Sequence, residues 1–298
     1  MLTDLQLLMV SGVGPKALLQ RHNIPVVQNR PGVGQNLWDN PLFGPSWPLG
    51  VETNSEYMNN PRVMQQAIDE YNANRTGYMT SPGVDVISFE KLSTVTSLNI
   101  SLAARHQLKQ FPADWPEVEL LSFPSWFGPT LGSSPPNTQQ QFGGIAIGLL
   151  APLSRGNVSI SSSKMSDPPV INPAWLTSPT DQEIAVAAIR RARQYFDTPA
   201  LRSITQGAEA FPGANVTSYE DILAAVQAQF IPFYHAAATC KMGSRDDDMA
   251  VVDSVGKVIG VDRLRVADVS AFPFLPPGFP QGTVYMLAEK IAAAILAG

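Results

Sequence analysis

An α+β fold follows from three features of this 298-residue sequence. Short runs of strand character stand at 117–123, 144–150 and 157–161. Two longer helical patterns come after them, each opened by a Thr-x-x-Glu start. A count of 26 prolines and 22 glycines puts long connections between these elements.

In chain order, Leu5, Leu7, Leu8, Met9 and Val10 give the first helix, and Gly12 and Gly14 suit its C-terminus. Pro15 opens a second short helix over 16–22, because proline is tolerated in a first turn. Met64, Ala67, Ile68 and Tyr71 mark one face of a helix that ends near Gly77. In the run 157–161, Val158 and Ile160 point to one side in clean alternation. Ser133 to Asn137 reads as a loop. Thr180-Asp181-Gln182-Glu183 is a capping box, followed by a buried stripe of Ile184, Ala188, Ala192 and Tyr195. Thr217-Ser218-Tyr219-Glu220 repeats the device ahead of Tyr219, Ile222, Leu223, Val226 and Phe230. Leu264 to Val266 reads as strand, and Val284, Leu287, Ile291 and Ile295 form the apolar stripe of a last helix.

Composition narrows the classes of partner. The length allows two domains or one large one, with a real core. A hydrophobic share of 44% with 15% charged residues is that of an ordinary globular protein. A net charge of −5 argues against nucleic acid or an anionic membrane surface as partner. The run Arg245-Asp246-Asp247-Asp248 reads as a solvated turn rather than a metal site. Cys240 is the only cysteine, so no internal disulfide and no thiolate zinc cluster can form, and no metal is expected. Its small apolar neighbours suggest a buried structural thiol. No stretch reaches the ~20 apolar residues of a membrane span. The amino terminus lacks the basic and apolar regions of a signal peptide, which sets cytoplasmic location as the expectation. Sequons at Asn74, Asn99, Asn157 and Asn215 are then read as chance occurrences.

Several longer runs carry a family resemblance. They are Tyr234-His235-Ala236-Ala237-Ala238-Thr239-Cys240-Lys241-Met242-Gly243, Leu264 to Ser270, and Pro276-Pro277-Gly278-Phe279-Pro280-Gln281-Gly282-Thr283. With them go Leu7 to Gly14, Pro31 to Asp39, and the stretch Ala151 to Val158 with Asn172 to Leu176. The sequence resembles the glucose–methanol–choline (GMC) oxidoreductases, a family of FAD enzymes, as the carboxyl-terminal half of such a protein. Phe111 to Glu117, Phe211 to Thr217 and Thr283 to Ile291 are similar to its fungal secondary-metabolism branch.

The resemblance implies a substrate domain over 41–232, an antiparallel sheet backed by helices. It also implies that 1–40 and 233–298 are the remnant of an α/β flavin-binding domain. In that family the pyrophosphate of FAD sits on a Gly-x-Gly-x-x-Gly turn between strand and helix. Gly12-Val13-Gly14 and Gly32-Val33-Gly34 are bare pairs and read as turns. No cofactor is therefore expected on this chain, with FAD only if a partner supplies the other half.

His235 is the candidate catalytic residue. Imidazole exchanges protons near neutrality, and in the matching enzymes the residue at this position takes the alcohol proton. On the residues alone a core histidine bonded to carbonyls is the favoured reading, and the resemblance reverses it. The second catalytic position of the family, a His or Asn, falls on Phe279, which can neither accept nor donate a proton. Two readings of Phe279 stand side by side: a core residue left after the site decayed, or a wall reshaped for an apolar or aromatic ligand. Tyr234 and Gln281 are the further substrate-binding candidates. Asp268, Gly278, Pro280 and Thr283 match positions near the flavin and are read as vestigial, with Asp268 able to cap a turn before Ser270 instead. Asn40 stands where the family has a histidine. His22 and His106 read as surface residues.

Three functions follow as expectations. The first is an enzyme without flavin chemistry, a cyclase, dehydratase or isomerase acting on a small polyketide or aromatic metabolite. The branch contains a precedent for cyclisation with no net redox change. The second is the substrate-domain half of a split FAD-dependent alcohol oxidase or dehydrogenase. The third is a non-catalytic binding protein. A homodimer is expected, because the last helix and the strand before Asp268 would otherwise leave an apolar face open.

Overall fold

The structure is a computed structural model and describes residues 2–130, 133–137 and 139–297. Met1 and Gly298, the outer limits of the expected terminal segments, lie outside the described residues. The helices in chain order are α1 (Leu2–Val10), α2 (Lys16–Arg21), α3 (Asn54–Asn59), α4 (Pro61–Asn74), α5 (Leu102–Leu108), α6 (Pro179–Phe196), α7 (Pro199–Arg202), α8 (Tyr219–Gln229) and α9 (Gln281–Leu296). The strands are β1 (Val13–Gly14), β2 (Gln28–Asn29), β3 (Pro41–Phe43), β4 (Ser46–Leu49), β5 (Ile87–Glu90), β6 (Val118–Phe123), β7 (Gln141–Leu149), β8 (Asn157–Ser159), β9 (Val170–Asn172) and β10 (Ile231–Pro232).

The chain forms two compact units. One comprises 1–40, 153–177 and 233–298; the other comprises 41–152 and 178–232. The expected 41–232 segment is thus interrupted by 153–177. The reason is long-range pairing that sequence does not display: Leu37 and Gly156 exchange two backbone hydrogen bonds, and Val158 N–H donates to Gly34 O at 2.7 Å.

The unit of 41–152 and 178–232 is an antiparallel sheet in the order β10-β3-β7-β6-β5, with β4 also paired to β7. β7 is the hub, because its nine residues are long enough to serve β3, β4 and β6. In α6 Ile184, Ala188 and Ala192 are buried as expected, while Tyr195 is only half-buried with its hydroxyl on Glu90, and Phe196 stacks on Trp47 at 3.7 Å. The mixture of helices and antiparallel strands is the α+β class.

Neither capping box starts its helix where the pattern puts it: the N-cap of α6 lies two residues earlier than Thr180 and that of α8 one residue later than Thr217. α6 begins at Pro179, whose fixed φ suits a first helical position, and its N-cap Ser178 makes no side-chain capping bond. Thr180 instead donates its hydroxyl to Gln107 Oε1. In α8 the N-cap is Ser218 rather than Thr217, with Asp221 N–H bonded to the serine hydroxyl at 3.0 Å.

The other unit brings distant segments around one core. Leu5, Met9 and Leu19 of the first two helices pack with Val158, Val251, Val252 and Val266. Leu264 to Val266 forms no strand element; it makes an isolated bridge from Arg265 to Lys257 and bonds at Val258 and Val266. In α9 only Ile291 is fully buried, with Val284 and Leu287 half-buried, so these three form the inward face, whereas Ile295, the fourth residue of the expected stripe, is 54% exposed. Tyr285 and Met286 are each 66% exposed and Leu296 is 89% exposed on the outward side. No described helix is long and apolar enough to cross a membrane.

Candidate functional site

A cavity of about 640 Å³ lies in the unit built from the two ends of the chain, lined by Phe233, Tyr234, His235, Phe279, Gln281 and Tyr285, among others. It forms because 34–40 runs antiparallel to 233–239. Gly34 N–H donates to Thr239 O at 2.8 Å, Trp38 and Ala237 exchange both backbone bonds, and Phe233 N–H donates to Asn40 O at 2.9 Å. Within this ribbon Tyr234 and Ala238 take left-handed backbone, φ 62° and 66°. Such backbone on residues other than glycine stores strain, about 1–3 kcal/mol each, that surrounding contacts must hold.

His235 lies between those two residues and is 8% exposed. Its ring sits 4.4 Å from Phe233 and 5.5 Å from Phe279, centroid to centroid, the latter edge-on at 80°. Phe233 and Phe279 meet at 5.7 Å, closing a cluster of three rings. Among the described residues His235 Nδ1 is buried without a hydrogen-bond partner. Burial pushes the imidazole down to about 4, so it is neutral at ordinary pH. A neutral ring facing a cavity accepts a proton; it does not arrive carrying one.

Asp39 holds this histidine from behind. Its Oδ1 accepts from His235 N–H at 3.1 Å and from Asn40 N–H at 2.9 Å. Burial raises the carboxyl to about 6 in spite of those two donors. Asp39→Ala is expected to destabilise the protein by about 1–3 kcal/mol in urea unfolding, since two buried N–H groups lose their acceptor. Asp39→Asn keeps an oxygen in place and should cost under about 1 kcal/mol. Equal losses in the two variants would refute this role.

The structure brings together His235, Tyr234, Phe279, Pro280 and Gln281 at the cavity. Phe279 is 52% exposed, which removes the core reading of that residue. Tyr234 is 75% exposed beside it. Asp268, Gly278 and Thr283 do not line the cavity. Asp268 is the N-cap of the short turn 269–271 and accepts from Ser270 N–H at 2.7 Å. Cys240 is fully buried, and burial pushes its thiol up. His106 is exposed and His22 half-buried, both away from the cavity. Among the described residues no group of three His, Cys, Asp or Glu could hold a metal ion. Phe233, Tyr285 and Asp39 are the members that sequence reasoning missed. The aromatics flanking the His235 motif carried a usable signal; a single carboxylate 196 positions away carried none.

A carboxyl-terminal family profile described as GMC oxidoreductase matches residues 152–288. Patulin synthase of Aspergillus clavatus is 47% identical over 97% of this chain. Versicolorin B synthase of Aspergillus parasiticus is 41% identical over 98%. This chain belongs to the GMC oxidoreductase family. It spans about half the length of these curated relatives, 46% and 44% respectively. Among solved GMC-like structures, an FAD-dependent oxidoreductase from Chaetomium thermophilum aligns at 30% identity with a TM-score of 0.80, covering 97% of this chain and 52% of the other. A formate oxidase from Aspergillus oryzae aligns at 26% identity with a TM-score of 0.86, over 98% and 52%.

The family's cofactor can be tested against the residues present. A pyrophosphate cradle needs glycines that leave open backbone at a helix N-terminus. Three of the four glycines in these pairs already lie against this chain's own backbone. A Cβ on Gly12 would meet Pro25 O at 2.4 Å, on Gly32 Met249 O at 2.0 Å, and on Gly34 Val158 O at 2.2 Å. These residues do not fit the dinucleotide part of FAD.

Proposed function

We propose that this chain uses His235 as the proton acceptor for a small polyketide or aromatic metabolite held in the cavity beside it. The reaction class is cyclisation, dehydration or isomerisation, without flavin. The observation that carries the reading is a neutral imidazole walled by Phe233 and Phe279 and fixed through its backbone by Asp39. Phenyl rings offer flat apolar contact and no hydrogen bond, which suits an aromatic ligand. His235 draws the proton from a substrate hydroxyl or acidic carbon as the new bond forms, then returns it.

Visible spectroscopy with turnover assays tests this. The purified chain should show no flavin band near about 450 nm, since its glycines do not fit the pyrophosphate, and should convert a cyclisable aromatic polyketide. A stoichiometric band, or no turnover of any such substrate, would overturn the reading. A second reading draws on the length relation to the relatives: the chain is the substrate-side half of an FAD-dependent enzyme. Oxidation of an alcohol only after addition of a relative's amino-terminal half would establish it. Saturable binding with no conversion under either condition would establish a binding protein.

We also propose a homodimer through the outward face of α9, where Met286 and Leu296 are exposed. Light scattering coupled to gel filtration should give twice the chain mass; a monomer at micromolar concentration rules it out.

A further inference from the structure

The run Phe111 to Glu117 has no part in the site around His235, yet it wraps a second cavity in the other unit. This space, about 470 Å³, is bounded by the turn 92–94, by α5, and by the loop after it. Three cations line it: Lys91, Arg105 and Lys109. Lys91 Nζ donates to Pro112 O and to Trp115 O, both at 3.2 Å, so its ammonium is held in place by the loop. Arg105 Nε donates to Ile100 O at 3.0 Å, and its terminal amino groups make no further bond among the described residues. Lys109 is exposed. None of the three forms an ion pair among the described residues.

Glu183 accepts from the N–H and the hydroxyl of Ser101, the residue that caps α5, and is engaged there. Glu117 is buried, accepting from Ser93 N–H at 2.7 Å and from the Ser93 hydroxyl. Asp114 is exposed on the loop and does not line the cavity. The remaining walls are Ser93 and Thr94 on one side and the apolar Leu108, Ala113 and Phe111, whose ring stacks on Trp115 at 5.5 Å.

We propose that this cavity binds a small aromatic carboxylate. A guanidinium fork matches a carboxylate with two parallel hydrogen bonds, and two ammonium groups in the same concavity focus the field on it. The aromatic body of the ligand lies against Phe111, Leu108 and Ala113. The site belongs to a different unit from His235 and does not depend on the reaction assigned there.

Backbone NMR titration with benzoate, with inorganic phosphate as the bare-anion control, tests the proposal. Benzoate should saturate with Kd about 1 mM or below, an affinity in reach for a ligand of its size, with shifts centred on 91–94 and 105–113. Arg105→Gln should weaken it at least 10-fold and Lys109→Gln about 3-fold, with unchanged amide spectra away from the site. Phosphate should bind at least 10-fold more weakly than benzoate. Saturation by phosphate at equal strength overturns the aromatic class. Shifts centred elsewhere, or Arg105→Gln binding as the wild type does, overturn the site. If Arg105→Gln alters the global spectrum, Lys109→Gln alone decides, because its side chain is exposed and its loss leaves the fold.

Discussion

His235→Ala is expected to cost about 10²–10⁴-fold in rate, the usual contribution of one positioned acid–base group. The variant should keep its fold, because the imidazole Nδ1 makes no hydrogen bond that the structure would lose. Removing the ring leaves space beside Phe233 and Phe279, so added imidazole should restore part of the rate. The pH profile carries a second signature. The folded histidine is pushed down to about 4, so its basic form persists well below the ordinary range and the acid limb should fall near pH 4 rather than 6.5. Near-full activity of the alanine variant, or an acid limb near 6.5 that belongs to His235, would sink the assignment.

The second large effect concerns Glu119. It lies in the central strand β6, fully buried, and neither carboxyl oxygen has a hydrogen-bond partner among the described residues. Burial alone raises it to about 7 from 4.5. Folding therefore holds a proton on this group that the unfolded chain releases. Stability from that proton is complete below pH 4.5, declines as pH rises, and is lost by about pH 7 and above. The whole span is about 3 kcal/mol. Glu119→Gln carries no charge at any pH, so it should match the wild type near pH 4.5 and exceed it by about 2–3 kcal/mol at pH 8. Urea unfolding at the two pH values reads the difference directly. A glutamine variant with the same pH slope as the wild type would falsify the account.

Periodicity served where the signal was local. The stripes of α6 and α8 and the alternation of Val158 and Ile160 follow from burial repeating at a fixed spacing. It erred by two residues at α6 and by one at α8, because Pro179 and Ser218 were better starters than the threonines beside them. Glu119 gave no warning. A glutamate between Val118 and Leu120 in a strand reads as the solvent face, but β6 is buried on both of its faces over Val118 to Leu121. At the site, the His235 motif was legible through a resemblance. Its support was not, since Asp39 reaches it across 196 positions of chain. The stripe of α9 was correctly apolar, but its direction depends on which face meets the core at Ile291.

The unit that carries His235 is assembled from three separated stretches, and this sets the order in which it can form during synthesis. Arg30 donates to Ile259 O across 229 positions, and the Ser270 hydroxyl reaches Asp4 across 266. At about 5–20 residues per second, Leu5, Met9 and Leu19 wait roughly tens of seconds for the valines that cover them. The intervening antiparallel unit completes first, as its last strand leaves the ribosome before Val251 does. Contacts this distant in sequence make closure slow. Truncating the chain before Val251 should therefore leave α1 and α2 without their core partners and open to protease.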